Sequence, residues 1–192
     1  LTQFKVFADR QVPANLKEDA LFQRCLIHVR EKQNKKAEDL LKTFLERYPE
    51  SDRVSQARFH YGIVRLRQSP ENTAALADFL KKHETSNYAP RAHYEVAWNA
   101  REQGDVEKAR KHYKALIEEF PEADLASKSL LELADLEYEQ ENYNRSLSYL
   151  DRLQSRGVSS QELKENMLYR RSWCFLGRGQ EGQAVDLFEM FL

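Results

Sequence analysis

The 192-residue chain reads as an all-α protein, a right-handed superhelical solenoid of five helix-turn-helix hairpins behind a leading helix. Three observations predict this. One hairpin is legible directly in the segment Arg91 to Glu122, its pattern of small and apolar residues returns along the chain at a nearly constant spacing, and the turn-forming residues fall between the helical stretches.

In that hairpin, Arg91 to Gln103 and Val106 to Glu119 are helical, hinged at Gly104-Asp105 and stopped by Pro121, which lacks a backbone donor. Ala97 and Ala109 are the small residues where the two helices touch. Tyr113, Leu116 and Phe120 follow at spacings of four, three and four, which keeps one face apolar.

Sliding the segment back by 72 positions aligns it with Cys25, Ala37, Leu41, Phe44 and Pro49. Sliding it forward by 37 gives Ala134, Ser146, Leu150 and Leu153, and by 75 gives Ser172, Gly179, Ala184, Phe188 and Phe191, with Trp173 on Trp98. A further copy carries Gly62 as its small residue and Ala75 as the partner in a shortened second helix. The small residues at 25, 62, 97, 134 and 172 are 37, 35, 37 and 38 apart. The helices expected are 1–11, then 16–32 with 35–48, 53–68 with 71–83, 88–103 with 106–119, 124–140 with 143–156, and 161–177 with 181–192. The repeats run over about 16–50, 51–86, 88–122, 124–158 and 161–192, and the breaks at Pro13, Pro49 to Asp52, Ser69-Pro70, Pro121 and Gly157 to Ser160 separate them. The second hairpin departs most from the pattern, so its second helix is expected to be the least regular.

Small residues at both crossings, an apolar residue four after the second, and a proline twelve after it (Ala37 with Pro49, Ala109 with Pro121) resemble the tetratricopeptide repeat family. The likeness covers nearly the whole chain, which makes it a single repeat array. The periods exceed the usual 34 or so, and the segments RYPESD and EFPEAD are similar to repeats of bacterial envelope proteins, the outer-membrane assembly lipoproteins and the Tol-Pal accessory protein. That narrower resemblance implies a periplasmic or outer-membrane-associated place in preference to a cytoplasmic one. The family's basic clamp on a chaperone carboxylate is not implied, because the matching positions here are mostly aromatic or aliphatic.

A composition of 41% hydrophobic and 32% charged residues suits exposed helices, and a net charge of −1 gives no general pull towards nucleic acid or an anionic membrane. Residues 1–96 carry 17 Lys and Arg against 13 Asp and Glu, whereas residues 97–192 carry 13 against 18. No apolar run approaches the length of a membrane span. Both ends read as cut through a repeat, so the chain is expected to be a fragment of a longer protein whose targeting signals or further domains lie outside it. Its exposed ends, Phe4 to Phe7 and Phe188 to Phe191, would drive self-association. Cys25 and Cys174 fall in the first and fifth repeats, too far apart for a bridge in a solenoid, and Cys25 fills a small-residue slot as a buried hydrophobe.

Catalytic signatures are missing. The five histidines form no zinc-hydrolase pattern, no cysteine pair has zinc spacing, no glycine-rich loop cradles phosphate, and the carboxylates from Glu132 to Glu141 read as a wet helix face. No enzyme, metal or cofactor is expected. Repeats that read RNA need a basic lining, whereas Asp135 and Glu139 would face the ligand here, so nucleic acid is not expected either.

The remaining expectation is a protein or peptide partner on the concave face. Residues three before and one after each small residue look inward: Phe22 and Leu26, Phe59 and Ile63, Tyr94 and Trp98, Leu131 and Asp135, Tyr169 and Trp173. Flat rings anchor partners at little entropy cost. The alternative is that this stripe packs between repeats, in a structural or self-assembling array with no groove; both stand for the Phe and Tyr row, while the tryptophans favour binding. The partner-contacting set is Arg91, Tyr94, Trp98, Arg101, Lys128, Asp135, Tyr138, Tyr169 and Trp173, with acidic ligand groups expected at the third repeat and basic ones at the fourth.

Overall fold

The structure, a computed structural model, describes residues 13–158 and 160–191. Among these, ten α-helices and no strand occur. They pair in order: α1 (Ala14–Arg30) with α2 (Asn34–Arg47), α3 (Val54–Gln68) with α4 (Ala74–Lys82), α5 (Ala89–Glu102) with α6 (Val106–Glu119), α7 (Asp124–Glu139) with α8 (Tyr143–Ser155), and α9 (Gln161–Gly177) with α10 (Glu181–Glu189). The expected helix over 1–11 lies outside the described residues.

The turn inside each hairpin shows why the boundaries were legible. Seven residues after the small residue, Lys32, Gly104, Glu141 and Gly179 all take positive φ, between 57° and 76°. At each, the amide of the next residue returns to a carbonyl five residues earlier: Gln33 to His28, Asp105 to Ala100, Asn142 to Glu137 and Gln180 to Phe175. This left-handed cap satisfies the last carbonyls of the first helix and starts the second helix at once.

The second hairpin lacks the cap. Ser69, at the corresponding place, is extended with φ −142°, as suits a residue before proline, and the chain turns over Ser69 to Asn72 before α4 begins at Ala74, three residues later than expected. The expected partner of Gly62 is corrected accordingly. Ala75 is only half-buried, whereas Leu76 is fully buried and its Cγ and Cδ2 would lie 2.8 and 2.5 Å from a Cβ placed on Gly62. Losing the first turn of α4 removed the small-residue position, and a leucine fills the crossing against a residue with no side chain.

Elsewhere the crossings hold small residues as expected: Cys25 with Ala37, Ala97 with Ala109, Ala134 with Ser146, and Ser172 with Ala184 are all buried. The Ser146 hydroxyl donates to the Ala134 carbonyl at 2.7 Å and accepts from the Cys174 thiol at 3.1 Å, so the polar small residues are satisfied locally. Burial pushes the Cys25 thiol up to about 11 and the Cys174 thiol up as well, which keeps both protonated.

The chain divides into two compact units, one up to Ala89 and one from Pro90 onward. In the first, α1 packs on α2 and α3, α2 on α3, and α3 on α4. Phe22, Leu41, Phe44, Ala57 and Val64 belong to one core cluster there. In the second, one core runs from Ala97 and Tyr113 through Leu130, Leu133 and Leu150 to Met167 and Cys174.

Candidate partner-binding face

The first helices carry the expected inward positions, and their fates divide by hairpin. In the first unit the rings are core. Phe22 is buried 5.0 Å from Phe44, and Phe59 is buried between Phe79 and Tyr88, at 5.9 and 5.1 Å. A benzyl ring has no polar end to keep in water, so it turns into the hairpin.

In the second unit the same positions hold rings with polar edges, and these reach the surface. On α5, Tyr94 is half-buried, edge-on to the buried Tyr113 at 5.7 Å and nearly parallel to Trp98 at 6.4 Å, while Trp98 is 43% exposed. The Tyr94 hydroxyl donates to Glu132 Oε1 at 3.3 Å; burial, reinforced by that carboxylate, pushes the phenol up to about 12. On α9, Tyr169 is 49% exposed, and Trp173 is half-buried, edge-on to Phe188 of α10 at 5.4 Å. Tyr138 on α7 is half-buried under the Arg170 guanidinium, 4.3 Å from its ring centre.

Three of the four charged members of the expected set, Arg91, Arg101 and Asp135, are engaged with neighbouring residues. Arg101 pairs with Glu132 and with Glu139, the latter at 2.5 Å, and Arg170 Nε donates to Asp135 Oδ1 at 2.5 Å. Arg91 Nε donates to Glu95 Oε1 at 3.4 Å on its own helix. Burial raises the Glu132 and Asp135 carboxyls against the pull of Arg101 and Arg170. Arg170 is the residue that reading the sequence missed. Its signal was available, since Asp135 and Arg170 lie one repeat length apart with opposite charge, as do Arg101 and Glu139.

A cleft of about 420 Å³ opens between α5, α7 and α9, lined by Tyr94, Lys128, Leu131, Glu132, Leu163 and Asn166 among others. Of the expected contacts it gathers Tyr94 and Lys128; Trp98, Tyr169 and Trp173 are not in its lining. Lys128 is exposed. Among the described residues, no group of three or more His, Cys, Asp or Glu could hold a metal, and no helix is long and apolar enough to cross a membrane.

Hairpins with small residues on both helices at four of five crossings, and a left-handed cap in the same four turns, define a helical-repeat protein. Residues 53–169 match the family model of the tetratricopeptide repeat-like domain, and residues 19–51 match that of the tetratricopeptide repeat. The chain belongs to the tetratricopeptide repeat family, whose domains generally mediate protein–protein interaction and are typically non-catalytic. Comparison with curated proteins finds no match. Among solved structures, the chain is similar to a tetratricopeptide repeat protein from Parabacteroides merdae, at 19% identity and a TM-score of 0.72, over 90% of this chain and 64% of that one. It is also similar to the MamA protein, at 12% identity and 0.69, over 90% and 88%, and to the apo form of RapI, at 19% and 0.68, over 93% and 54%. At these identities the likeness establishes the all-α repeat fold.

Proposed function

We propose that the chain is a non-catalytic scaffold that holds a protein or peptide segment along the first-helix face of its second unit. The observation that supports this is Trp98, stacked on Tyr94 with much of its ring open to solvent, in the same repeat position as Trp173 two hairpins on, where Tyr169 is also open. Exposed large rings in a row are the usual anchors of a protein contact. Tyr138 assists at the middle hairpin. Arg91, Arg101, Lys128 and Asp135 form a polar margin, and because Arg101 and Asp135 are already paired, the rings rather than the charges carry the affinity. The experiment is recovery of the partner on the immobilised chain, followed by titration against Trp98→Ala and Trp173→Ala, with Lys111→Ala on α6 as control. A loss confined to Lys111→Ala overturns the assignment.

The competing reading is a self-assembling array. It is favoured by Leu176, Val185, Met190 and Phe191, all exposed in the fifth hairpin. Light scattering over a range of concentrations separates the two, because only the array grows in mass. For the biological setting, the segments RYPESD and EFPEAD support a bacterial envelope protein, periplasmic or outer-membrane-associated. Cell fractionation with an antibody to the chain tests that placement.

A further inference from the structure

The second unit has another face, built by its second helices α6 and α8 together with the C-terminal part of the first helix α9, away from the exposed rings. Between α6 and α8 lies a cleft of about 600 Å³ lined by Arg110, Lys114, Arg145 and Arg152 against Glu107 and Glu137. Between α8 and α9 lies one of about 310 Å³ lined by Arg171 and Arg178 against Asp151, and Ser148 lines both. Six cations therefore face three carboxylates, in a half of the sequence whose overall balance is −5.

The carboxylates are already committed. Glu107 and Glu137 pair with Arg110, and Asp151 Oδ1 stands 2.8 Å from Arg171 Nη2. Lys114, Arg152 and Arg178 form no ion pair among the described residues, and Lys114 is half-buried all the same. Arg171 is mostly buried, yet its Nε and Nη2 make no hydrogen bond, the contact with Asp151 being poorly directed for one. Cations gathered in a cleft without matching carboxylates focus their field there.

We propose that this second-helix face binds an acidic segment of a partner protein, with Lys114 and Arg152 engaging carboxylates in the larger cleft and Arg171 and Arg178 in the smaller. The cations are strung across α6, α8 and α9 instead of converging on one point. A single small anion satisfies one or two of them, whereas a chain carrying several Asp or Glu side chains spans the two clefts through their common wall at Ser148. Planar guanidinium groups also suit carboxylates in paired geometry.

The test uses the whole chain and a fluorescein-labelled octaglutamate peptide, read by anisotropy. The expected result is binding that weakens as salt is raised and a loss of at least about tenfold in Lys114→Glu with Arg152→Glu, against a change of about twofold or less in the charge-matched control Lys35→Glu with Lys36→Glu, two exposed lysines of α2 outside both clefts. Circular dichroism checks that the variants fold. If the reversed pair does not, Lys114→Gln with Arg152→Gln replaces it, with a smaller loss in the same order. No binding at low salt, an equal loss in the control, or binding of phosphatidylserine vesicles without binding of the peptide overturns the proposal, the last outcome in favour of a membrane surface.

Discussion

Arg110 Nε donates to Glu137 Oε1 at 2.8 Å, tying the second helix of the third hairpin to the first helix of the fourth. The equivalent positions between the first and second hairpins hold the same bridge with its charges exchanged, Glu38 Oε1 accepting from Arg65 Nη1 at 3.0 Å. In both cases the second-helix member follows the small residue by one and the first-helix member follows it by three. Each carboxylate is buried and takes further donors, Lys42 and Gln68 on Glu38, and Asn142 on Glu137. Between the fourth and fifth hairpins the same two positions are Leu147 and Phe175, which pack without charge. The three interfaces thus differ in polarity at one geometrically equivalent place, so a helix docked on the wrong neighbour would bury like charges or a lone one.

The exchange can be tested at the interface between the first and second hairpins. Glu38→Arg alone confronts Arg65 and Lys42 with a third cation and is expected to cost about 2–4 kcal/mol, partial exposure of the two partners tempering the buried-pair value. Adding Arg65→Glu rebuilds the bridge in the polarity of the third interface and should recover at least half of that loss. Urea denaturation of both variants measures it; a double variant no better than the single one would show that the pair does not set the interface.

The helices were legible because their signals are local. Small residues at crossings, and a turn position that is Gly in two of four caps, lie within one hairpin and need no knowledge of neighbours. The second hairpin escaped this logic, since a shortened helix shifts the register and Leu76, not Ala75, meets Gly62. The candidate face was half legible. Periodicity located the rings, but their exposure depends on which side chain comes across from the adjoining helix. Trp98 and Trp173 share one repeat position, yet Phe188 covers Trp173, while the residue aligned with Phe188, Tyr113, lies under Tyr94 and leaves Trp98 open. The pairing of Arg101 and Asp135 with charges of the next hairpin was likewise a fact about neighbours.

Gly62 offers a second test, on stability. Alanine in mid-helix is ordinarily better than glycine by about 0.5–1 kcal/mol, but here its methyl would meet Leu76 side-chain atoms at 2.5 and 2.8 Å and the Leu76 amide nitrogen at 3.3 Å. Overpacking is expected to win, giving a net loss of about 1–2 kcal/mol for Gly62→Ala. Leu76→Ala alone leaves a cavity and costs about 2–5 kcal/mol. Combining them fills part of the cavity with the new methyl, so the double variant should be more stable than the two losses added. Strict additivity in a double-mutant cycle would place Leu76 elsewhere.

Acid should open the third hairpin before it disturbs the first. His93 Nδ1 and His112 Nδ1 lie 3.1 Å apart across α5 and α6, and burial lowers both rings from 6.5 to about 4. The folded rings take protons less readily than unfolded ones, so the stability tied to their neutral form is complete above about 6.5 and is lost as pH falls from there to about 4. Glu38 is different, because hydrogen bonds from Lys42 and Gln68 hold its carboxyl down at about 2. Its contribution persists to about 4.5 and is lost between there and about 2. Urea midpoints followed from neutral to low pH should therefore fall in two stages. His112→Gln, which keeps a hydrogen-bonding group but cannot gain a charge, should flatten the first stage and leave the second; an unaltered first stage would mean that the histidine pair is not its source.

The final test separates binding from packing at the two tryptophans. Trp98 stacks on Tyr94 and is 43% exposed, so Trp98→Ala should change the thermal midpoint less than Trp173→Ala does while weakening a bound partner by at least about 2 kcal/mol. Trp173 sits against Phe188 and beside Tyr169, bridging α9 to α10. Trp173→Ala should cost about 1–3 kcal/mol of stability, less than a fully buried ring because it is only half covered, and should weaken binding as well. Trp173→Phe keeps a ring against Phe188 and removes the rest of the indole, so it should restore stability without restoring affinity. If Trp173→Phe binds as the parent does, the indole at 173 serves the fifth hairpin only, and the face that holds the partner is centred on Trp98.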